Sequence, residues 1–164
     1  MCKGLLKAAI VATAVSATIV GAATALTAAV IIGATNAHGA EWSVITPIGS
    51  KHLNTNVDYN ENNYGLGVQY EGFGLLWFKN SYDNNSIAAF YAAELEMGEH
   101  WGVGSRFGMV SGYEGAPFGS LSPFAQPFAY YELGGGRINI GVLPSFLVSN
   151  DAAAVVTFDY EYRF

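Results

Sequence analysis

Short stretches in which apolar and polar residues alternate occupy the chain after residue 37, and they predict β-strands separated by turns. The alternation is clearest near the end of the chain, where one face carries Val156, Phe158, Tyr160, Tyr162 and Phe164 and the other carries Thr157, Asp159, Glu161 and Arg163. Aromatic residues facing outward and charges facing inward are typical of a strand in an outer-membrane barrel. A soluble lipocalin-like barrel also alternates, but its apolar residues point inward.

Eight such stretches predict an all-β fold, an eight-stranded antiparallel transmembrane β-barrel of the outer membrane. The strands are placed near residues 42–52, 62–71, 73–80, 86–97, 100–111, 122–133, 136–147 and 153–164. Their lengths are close to the roughly 9–11 residues that a tilted strand needs to cross a bilayer. Eight strands form the smallest barrel of this kind, with room inside for side chains or for one slim ligand.

The predicted connections alternate in length. Short ones follow strands two, four and six, at Glu71-Gly72, Gly98-Glu99 and Gly134-Gly135, and the others are Leu53–Glu61, Asn80–Asn85, Gly112–Leu121 and Val148–Ala152. Outer-membrane barrels direct their short turns to the periplasm and their longer loops outward. His52 ends strand one and Asn80-Ser81 ends strand three, so the topology predicts that they meet at the outer rim.

The third predicted strand is apolar on both of its faces. It contains Phe73-Gly74-Leu75-Leu76-Trp77-Phe78 and continues without a break into polar residues. An apolar run of this length between turns is typical of a strand that is buried on both sides. We interpret one side as facing lipid and the other as facing a hydrocarbon substrate inside the barrel.

The first 37 residues differ from the rest of the chain. Lys3 and Lys7 precede a tract rich in Ala, Val, Ile and Thr, and small residues at Thr35 and Ala37 suit cleavage by a signal peptidase. We therefore predict a secretory signal peptide at residues 1–37 and the barrel at residues 38–164. The tract exceeds the usual 7–15 apolar residues, so an uncleaved membrane anchor is the alternative. Cys2 precedes the tract, whereas a lipoprotein cysteine follows it.

The composition of residues 38–164 narrows the possible functions. This part has no cysteine, which excludes disulfides, thiol catalysis and cysteine-ligated metals. It holds five basic and 13 acidic residues, a net charge of −8 that does not suit nucleic-acid binding. All 23 Phe, Tyr and Trp residues fall here, as aromatic girdles require. No motif predicts a cofactor or a metal, because the glycine-rich pieces fit strands and turns.

His52, Ser81 and Asn80 are the residues predicted to carry chemistry. A base, a hydroxyl and an orienting amide at one rim could activate a nucleophile. A lone histidine at a loop edge is more often a solvated polar residue, and the case for His52 depends on this convergence. His38 is interpreted as part of the N-terminal tail and His100 as a residue of a short turn.

Several short motifs, in order and spacing, resemble those of the PagP-type lipid A palmitoyltransferases. His52 follows Pro47 by five residues, Tyr59-Asn60-Glu61 precedes a glycine-rich second strand, and Phe78-Lys79-Asn80-Ser81-Tyr82 is similar to a Phe-Lys-Asp-Ser-Trp element. Pro127 and Pro144 match prolines that open lateral gates to lipid in that family. A proline cannot donate to a sheet ladder, so it weakens pairing locally. Prolines also occur simply at strand ends and bulges.

The resemblance implies a monomeric outer-membrane acyltransferase without a cofactor. A phospholipid donor would enter between strands, lay one acyl chain in the lumen and pass it to lipid A or another outer-leaflet lipid. His52 would act as general base and Ser81 as nucleophile or hydrogen-bonding partner, with Pro47, Pro127 and Pro144 at the lateral gates. The alternatives are a non-enzymatic adhesin or structural barrel and a lipid A deacylase or phospholipase-type hydrolase.

The chain departs from the family pattern at several positions. Asn80 replaces an aspartate; an amide can orient a histidine but cannot stabilise an imidazolium electrostatically. Asp58, Glu61 or Asp83 could supply the missing charge, and their spacing does not select one. Asn63 replaces a gate proline, and Ser111-Gly112-Tyr113 lacks the family's arginine. The helix that precedes the family's barrel is missing, and the fourth strand lacks the glycine that sets acyl-chain length there.

Overall fold

The structure, a computed structural model, describes residues 41–113, 118–144 and 154–164. The predicted signal peptide at residues 1–37 and the predicted loop Val148–Ala152 lie outside the described residues, as does His38. No helix in the described part of the chain is long and apolar enough to span a membrane.

The described residues form a closed antiparallel barrel of eight strands in which β8 pairs with β1. The strands are β1 (Trp42–Leu53), β2 (Gly65–Tyr70), β3 (Phe73–Lys79), β4 (Asn85–Glu96), β5 (Trp101–Ser111), β6 (Leu121–Leu133), β7 (Gly136–Pro144) and β8 (Ala154–Arg163). The predicted all-β barrel of eight antiparallel strands is confirmed, and most strand bounds agree to within one residue. β2 begins three residues later than predicted, because the preceding segment bonds to the β3 turn instead.

The faces of the strands are oriented as the alternation predicts. In β8, Phe158, Tyr160 and Tyr162 are exposed on the outer surface, whereas Asp159 and Glu161 are buried inside. Outward-facing aromatic and aliphatic side chains continue around the barrel, for example Leu66, Phe73, Trp77, Ile87, Tyr131 and Ile140. The hydrophobic residues thus cover the outside of the barrel, and the buried polar residues lie within it.

The two ends of the barrel differ. At one end, which we call the closed end, the short turns lie together with the start of β1 and the end of β8. There the Phe164 amide donates to the Trp42 carbonyl at 3.1 Å. At the other, the loop end, lie the connections that follow β1, β3 and β5. The interior therefore divides into a half near each end.

Buried ion pairs fill the half near the closed end. The Arg137 guanidinium donates to Glu94 and to Glu161, each at 2.7 Å. Arg106 donates to both carboxylate oxygens of Asp159, at 2.8 and 3.0 Å. Buried charges are stable only when they are paired and hydrogen-bonded, and this set is balanced. We call it the charged network; it consists of Glu94, Arg106, Arg137, Asn139, Asp159, Glu161 and Arg163.

Candidate active site

An apolar pocket occupies the half of the interior near the loop end. Together with its opening to solvent, the space between its walls is about 830 Å³. Its apolar walls include Leu76, Phe78, Ala88, Phe90, Val110, Phe124, Leu143 and Val155. Arg106 and Asp159 also line it, and both belong to the charged network, so the network closes the pocket toward the closed end. Most of the residues that line the pocket are apolar.

His52 contacts Ser81, and Ser81 lines this pocket. His52 lies at the end of β1 with only 8% of its surface exposed, and Ser81 follows β3 in the turn to β4. The His52 Nε2 atom lies 2.8 Å from the Ser81 Oγ atom. This is hydrogen-bond distance between a base and a hydroxyl, the arrangement by which a histidine activates a serine nucleophile.

Glu61 supplies a negative charge beside the imidazole. Its Oε1 accepts from the His52 backbone amide at 3.1 Å and lies 3.9 Å from the His52 Nδ1 atom. The hydrogen bond from Lys51, at 2.8 Å, and that from the His52 amide hold the Glu61 pKa below its usual value, so this carboxylate is charged at neutral pH. Of the three acidic residues that could supply the charge, the structure selects Glu61.

The motif Tyr59-Asn60-Glu61 joins the end of β1 to the turn after β3. The Tyr59 ring stacks on the His52 ring at 4.3 Å between centroids, with the planes 20° apart. The Asn60 backbone amide donates to the Ser81 carbonyl at 2.9 Å, and its side chain donates to the Asn80 carbonyl at 3.0 Å. All three motif residues therefore contact the His52–Ser81 pair or its immediate backbone.

Asn80 does not orient the histidine, and that expectation was wrong. Its side chain is fully buried; Oδ1 accepts the backbone amides of Tyr82 and Asn84 at 2.9 and 3.0 Å. Its Nδ2 donates to Ser86 Oγ at 3.0 Å and to the Gly112 carbonyl at 2.8 Å. Because the amide is committed to these four partners, Asn80 fixes the turn that carries Ser81 instead of reacting.

The same contacts explain why position 80 carries an amide. Two backbone N–H donors determine which side-chain atom is the oxygen, so the nitrogen must face the Gly112 carbonyl. An ionised carboxylate cannot donate to that carbonyl and would oppose it with like partial charge. An aspartate, as in the resembling family, does not fit these surroundings.

Tyr113 is a site residue that the sequence analysis missed. It follows the last residues of β5 and lines the pocket together with Ser81, and the two side chains interact. Gly112, with a φ of +86°, turns the chain so that Tyr113 points back over the pocket. Burial raises the pKa of the Tyr113 hydroxyl to about 12, and it stays protonated at neutral pH. The sequence signal that could have identified Tyr113 is a glycine followed by an aromatic residue at the end of β5, on the same rim as His52 and Ser81.

The three prolines lie at two interruptions of the hydrogen-bonded ladder. β1 and β2 pair over four positions only, from Trp42–Tyr70 to Ile45–Gly67, and Pro47 lies just beyond, at a bulge in the β1–β8 pairing. β6 and β7 pair up to Phe128–Gly141, next to Pro127, and Pro144 ends β7. Both interruptions open onto the half of the barrel that holds the pocket, since Pro47, Gln126 and Leu143 line it.

No protein-family model matches this chain, and no match is found among curated proteins. Within the described residues, no group of three or more His, Cys, Asp and Glu side chains is arranged to hold a metal ion. His100 lies exposed near the closed end, beside Glu99, as the turn prediction required.

Proposed function

We propose that this protein is a membrane-embedded barrel enzyme that acts on an acyl ester through Ser81 and His52. The observation that carries the proposal is the 2.8 Å contact between the Ser81 Oγ and His52 Nε2 atoms at the mouth of an apolar pocket. A nucleophile and its base are placed where the ester of a lipid would lie once one acyl chain fills the pocket.

More specifically, we propose an outer-membrane acyltransferase of the PagP type that moves a fatty acyl chain from a phospholipid to lipid A. The motif resemblance supports this choice of donor and acceptor. The aromatic outer surface supports a position in the membrane, with the loop end at the outer leaflet. Cleavage of the predicted signal peptide would accompany export, and the enzyme would work as a monomer without a cofactor.

The chemistry proceeds through an acyl-serine. As the Ser81 oxygen attacks the ester carbonyl carbon, its proton passes to His52 Nε2 and the carbonyl electron pair moves onto the oxygen. That pair returns as the bond to the glycerol oxygen breaks, and His52 gives its proton to the departing lysophospholipid. A hydroxyl of lipid A then loses its proton to His52, attacks the acyl-serine, and leaves Ser81 protonated again. Glu61 stabilises the imidazolium in both halves.

The interrupted ladders provide routes for the lipids. Where β1 separates from β2 and β6 from β7, no continuous row of backbone hydrogen bonds has to be broken for a chain to pass sideways. Pro47, Pro127 and Pro144 keep these places open because proline lacks the donor that ladder pairing needs. The phospholipid donor would enter through one of the two gaps and the lipid A acceptor through the other.

The alternatives have less support. A non-enzymatic adhesin or structural barrel would need no base–hydroxyl pair at an apolar pocket. A deacylase would give the acyl chain to water, and the lipid A deacylases that the sequence could resemble carry a His-x-Ser dyad on one strand. Here His52 ends β1 and Ser81 lies in the turn after β3.

Mass spectrometry of lipid A from bacteria that express the protein tests the proposal. We expect a mass gain of one acyl chain that His52→Ala and Ser81→Ala abolish. His100→Ala and Ser120→Ala, which change exposed residues outside the site, should keep the gain. A loss of one acyl chain would establish a hydrolase, and no change from a folded barrel would favour the non-enzymatic alternative.

A further inference from the structure

We propose that Tyr113 is a catalytic residue whose hydroxyl donates a hydrogen bond to the oxyanion that forms when Ser81 attacks an ester. This inference rests on the proposed function and adds a group to the same site. Tyr113 and Ser81 line the same pocket, and their side chains interact there. In an ester attacked by Ser81, the carbonyl oxygen lies next to Oγ, within reach of the same phenol hydroxyl.

The chain fixes Tyr113 and Ser81 relative to each other through one hydrogen bond. The buried Asn80 side chain donates to the Gly112 carbonyl at 2.8 Å, Ser81 directly follows Asn80, and Tyr113 directly follows Gly112. Gly112 leaves no space for a side chain, because an added Cβ would lie 2.6 Å from the Asn85 carbonyl oxygen and from Ser86 Oγ. The turn after β3 and the exit of β5 are therefore held together, which preorganises the donor.

The direction of the hydrogen bonds follows from the groups involved. The Ser81 hydroxyl has one hydrogen, which it gives to His52 Nε2 when it acts as a nucleophile, so toward Tyr113 its oxygen can only accept. Because burial keeps the phenol protonated at neutral pH, Tyr113 is a donor throughout. When the Ser81 lone pair forms the bond to carbon, the phenol hydrogen bond moves from Oγ to the carbonyl oxygen that becomes negative. The phenol proton stays on Tyr113.

Phosphonylation of Ser81 by a fluorophosphonate measures this role without a lipid acceptor. The serine attacks phosphorus, negative charge builds on the phosphoryl oxygen, fluoride leaves, and the serine proton passes to His52. The folded full-length barrel in detergent micelles would be labelled and the rate read from intact mass. Tyr113→Phe keeps the ring and removes the hydroxyl. We expect it to lower the labelling rate by about 10²–10³-fold, as the loss of one oxyanion donor does.

Matched variants separate a catalytic role from a structural one. Tyr82→Phe removes a hydroxyl from the ring that packs edge-on against Tyr113, at 6.1 Å between centroids, and should keep the labelling rate. In acyl transfer, Tyr113→Phe should lower kcat and leave KM unchanged. A raised KM with unchanged kcat, or labelling at the wild-type rate, would overturn the proposal and make Tyr113 a wall of the pocket.

Three further outcomes bear on the role of Tyr113. If Tyr113→Phe does not fold, 3,5-difluorotyrosine in place of Tyr113 keeps the donor and the shape, so labelling should persist; its loss would overturn the assignment. A wild-type protein that is not labelled at Ser81 would also overturn it. In the last outcome, the wild type is labelled and Tyr113→Phe slows the labelling, but no acyl chain reaches lipid A. Tyr113 would then keep its role, and the proposed transfer to lipid A would be wrong.

Discussion

The two halves of the barrel interior use buried polar residues in opposite ways. In the charged network every arginine is paired with a carboxylate, and the residues fill the space around them. In the pocket the walls are mostly apolar, and Ser81 and Tyr113 are among the polar residues that line it, with His52 in contact with Ser81. Buried charge is therefore not by itself a sign of chemistry in this molecule. A base and a hydroxyl beside unfilled apolar space are the stronger sign.

The comparison also separates stability from activity. Removing one partner of a buried ion pair leaves an uncompensated charge and lowers the folding free energy strongly. Removing the Ser81 hydroxyl leaves no such charge, so its effect on stability is smaller. Variants in the charged network should therefore change stability first, and variants at the mouth of the pocket should change activity first.

Ser81→Ala should abolish acyl transfer while the barrel keeps its stability. Loss of a serine nucleophile costs about 10⁴-fold or more in kcat, because its partners act only through it. Thermal unfolding followed by circular dichroism should give a melting temperature close to that of the wild type. Residual transfer within tenfold of wild type would show that Ser81 is not the nucleophile and that His52 deprotonates the acceptor directly.

Arg137→Leu should have the converse effect. Glu94 and Glu161 would lose the more deeply buried of the two arginines that they share, which costs roughly 3–5 kcal/mol of folding free energy. Urea unfolding in detergent measures this loss. Lys51→Leu, which breaks a pair whose lysine is 64% exposed, is the matched control and should cost less than about 1 kcal/mol. Equal losses in the two variants would mean that the network does not stabilise the barrel.

Asn80→Asp should destabilise the loop end instead of restoring a missing catalytic charge. The Gly112 carbonyl would lose its donor, at a cost of about 1–3 kcal/mol. Burial would raise the pKa of the introduced carboxyl, and only its protonated form can donate, so the variant's stability should fall further as pH rises through that pKa. Melting temperatures at acid and alkaline pH, compared with wild type, measure this. An increase in acyl transfer would contradict the structural role of Asn80.

Ala88→Met should change acyl-chain selection with little effect on stability or on the reacting groups. Ala88 is a buried wall residue of the pocket, and a longer side chain there takes space from the substrate. The preference for long chains over shorter ones should fall about tenfold for each methylene that no longer fits. Competition between donors of different chain length, read by mass spectrometry, gives this ratio. An unchanged ratio would mean that the acyl chain does not reach Ala88.

The sequence predicts the barrel well and the site in part, for a physical reason. Alternation along a strand is a local property, so strand positions and faces follow from it, and the barrel topology then brings His52 and Ser81 to one rim. The path of the loops decides three features of the site. These are the position of Glu61 beside His52, the four hydrogen-bond partners of the Asn80 side chain, and the approach of Tyr113 to Ser81. Those paths are set by backbone hydrogen bonds between residues far apart, such as Asn60 to Ser81, which no periodic pattern records.

The charged network has a consequence for how the barrel assembles. Its members come from β4, β5, β7 and β8, and the pairs join residues as far apart as Arg106 with Asp159 and Glu94 with Arg163. The last strand, β8, carries three of the charges. A partly assembled barrel that lacks β8 would therefore bury charged side chains without partners. Assembly is therefore expected to be cooperative, with the final strand closing the cylinder and neutralising its interior in the same step. A chain that lacks β8 should remain unfolded instead of forming a seven-stranded sheet.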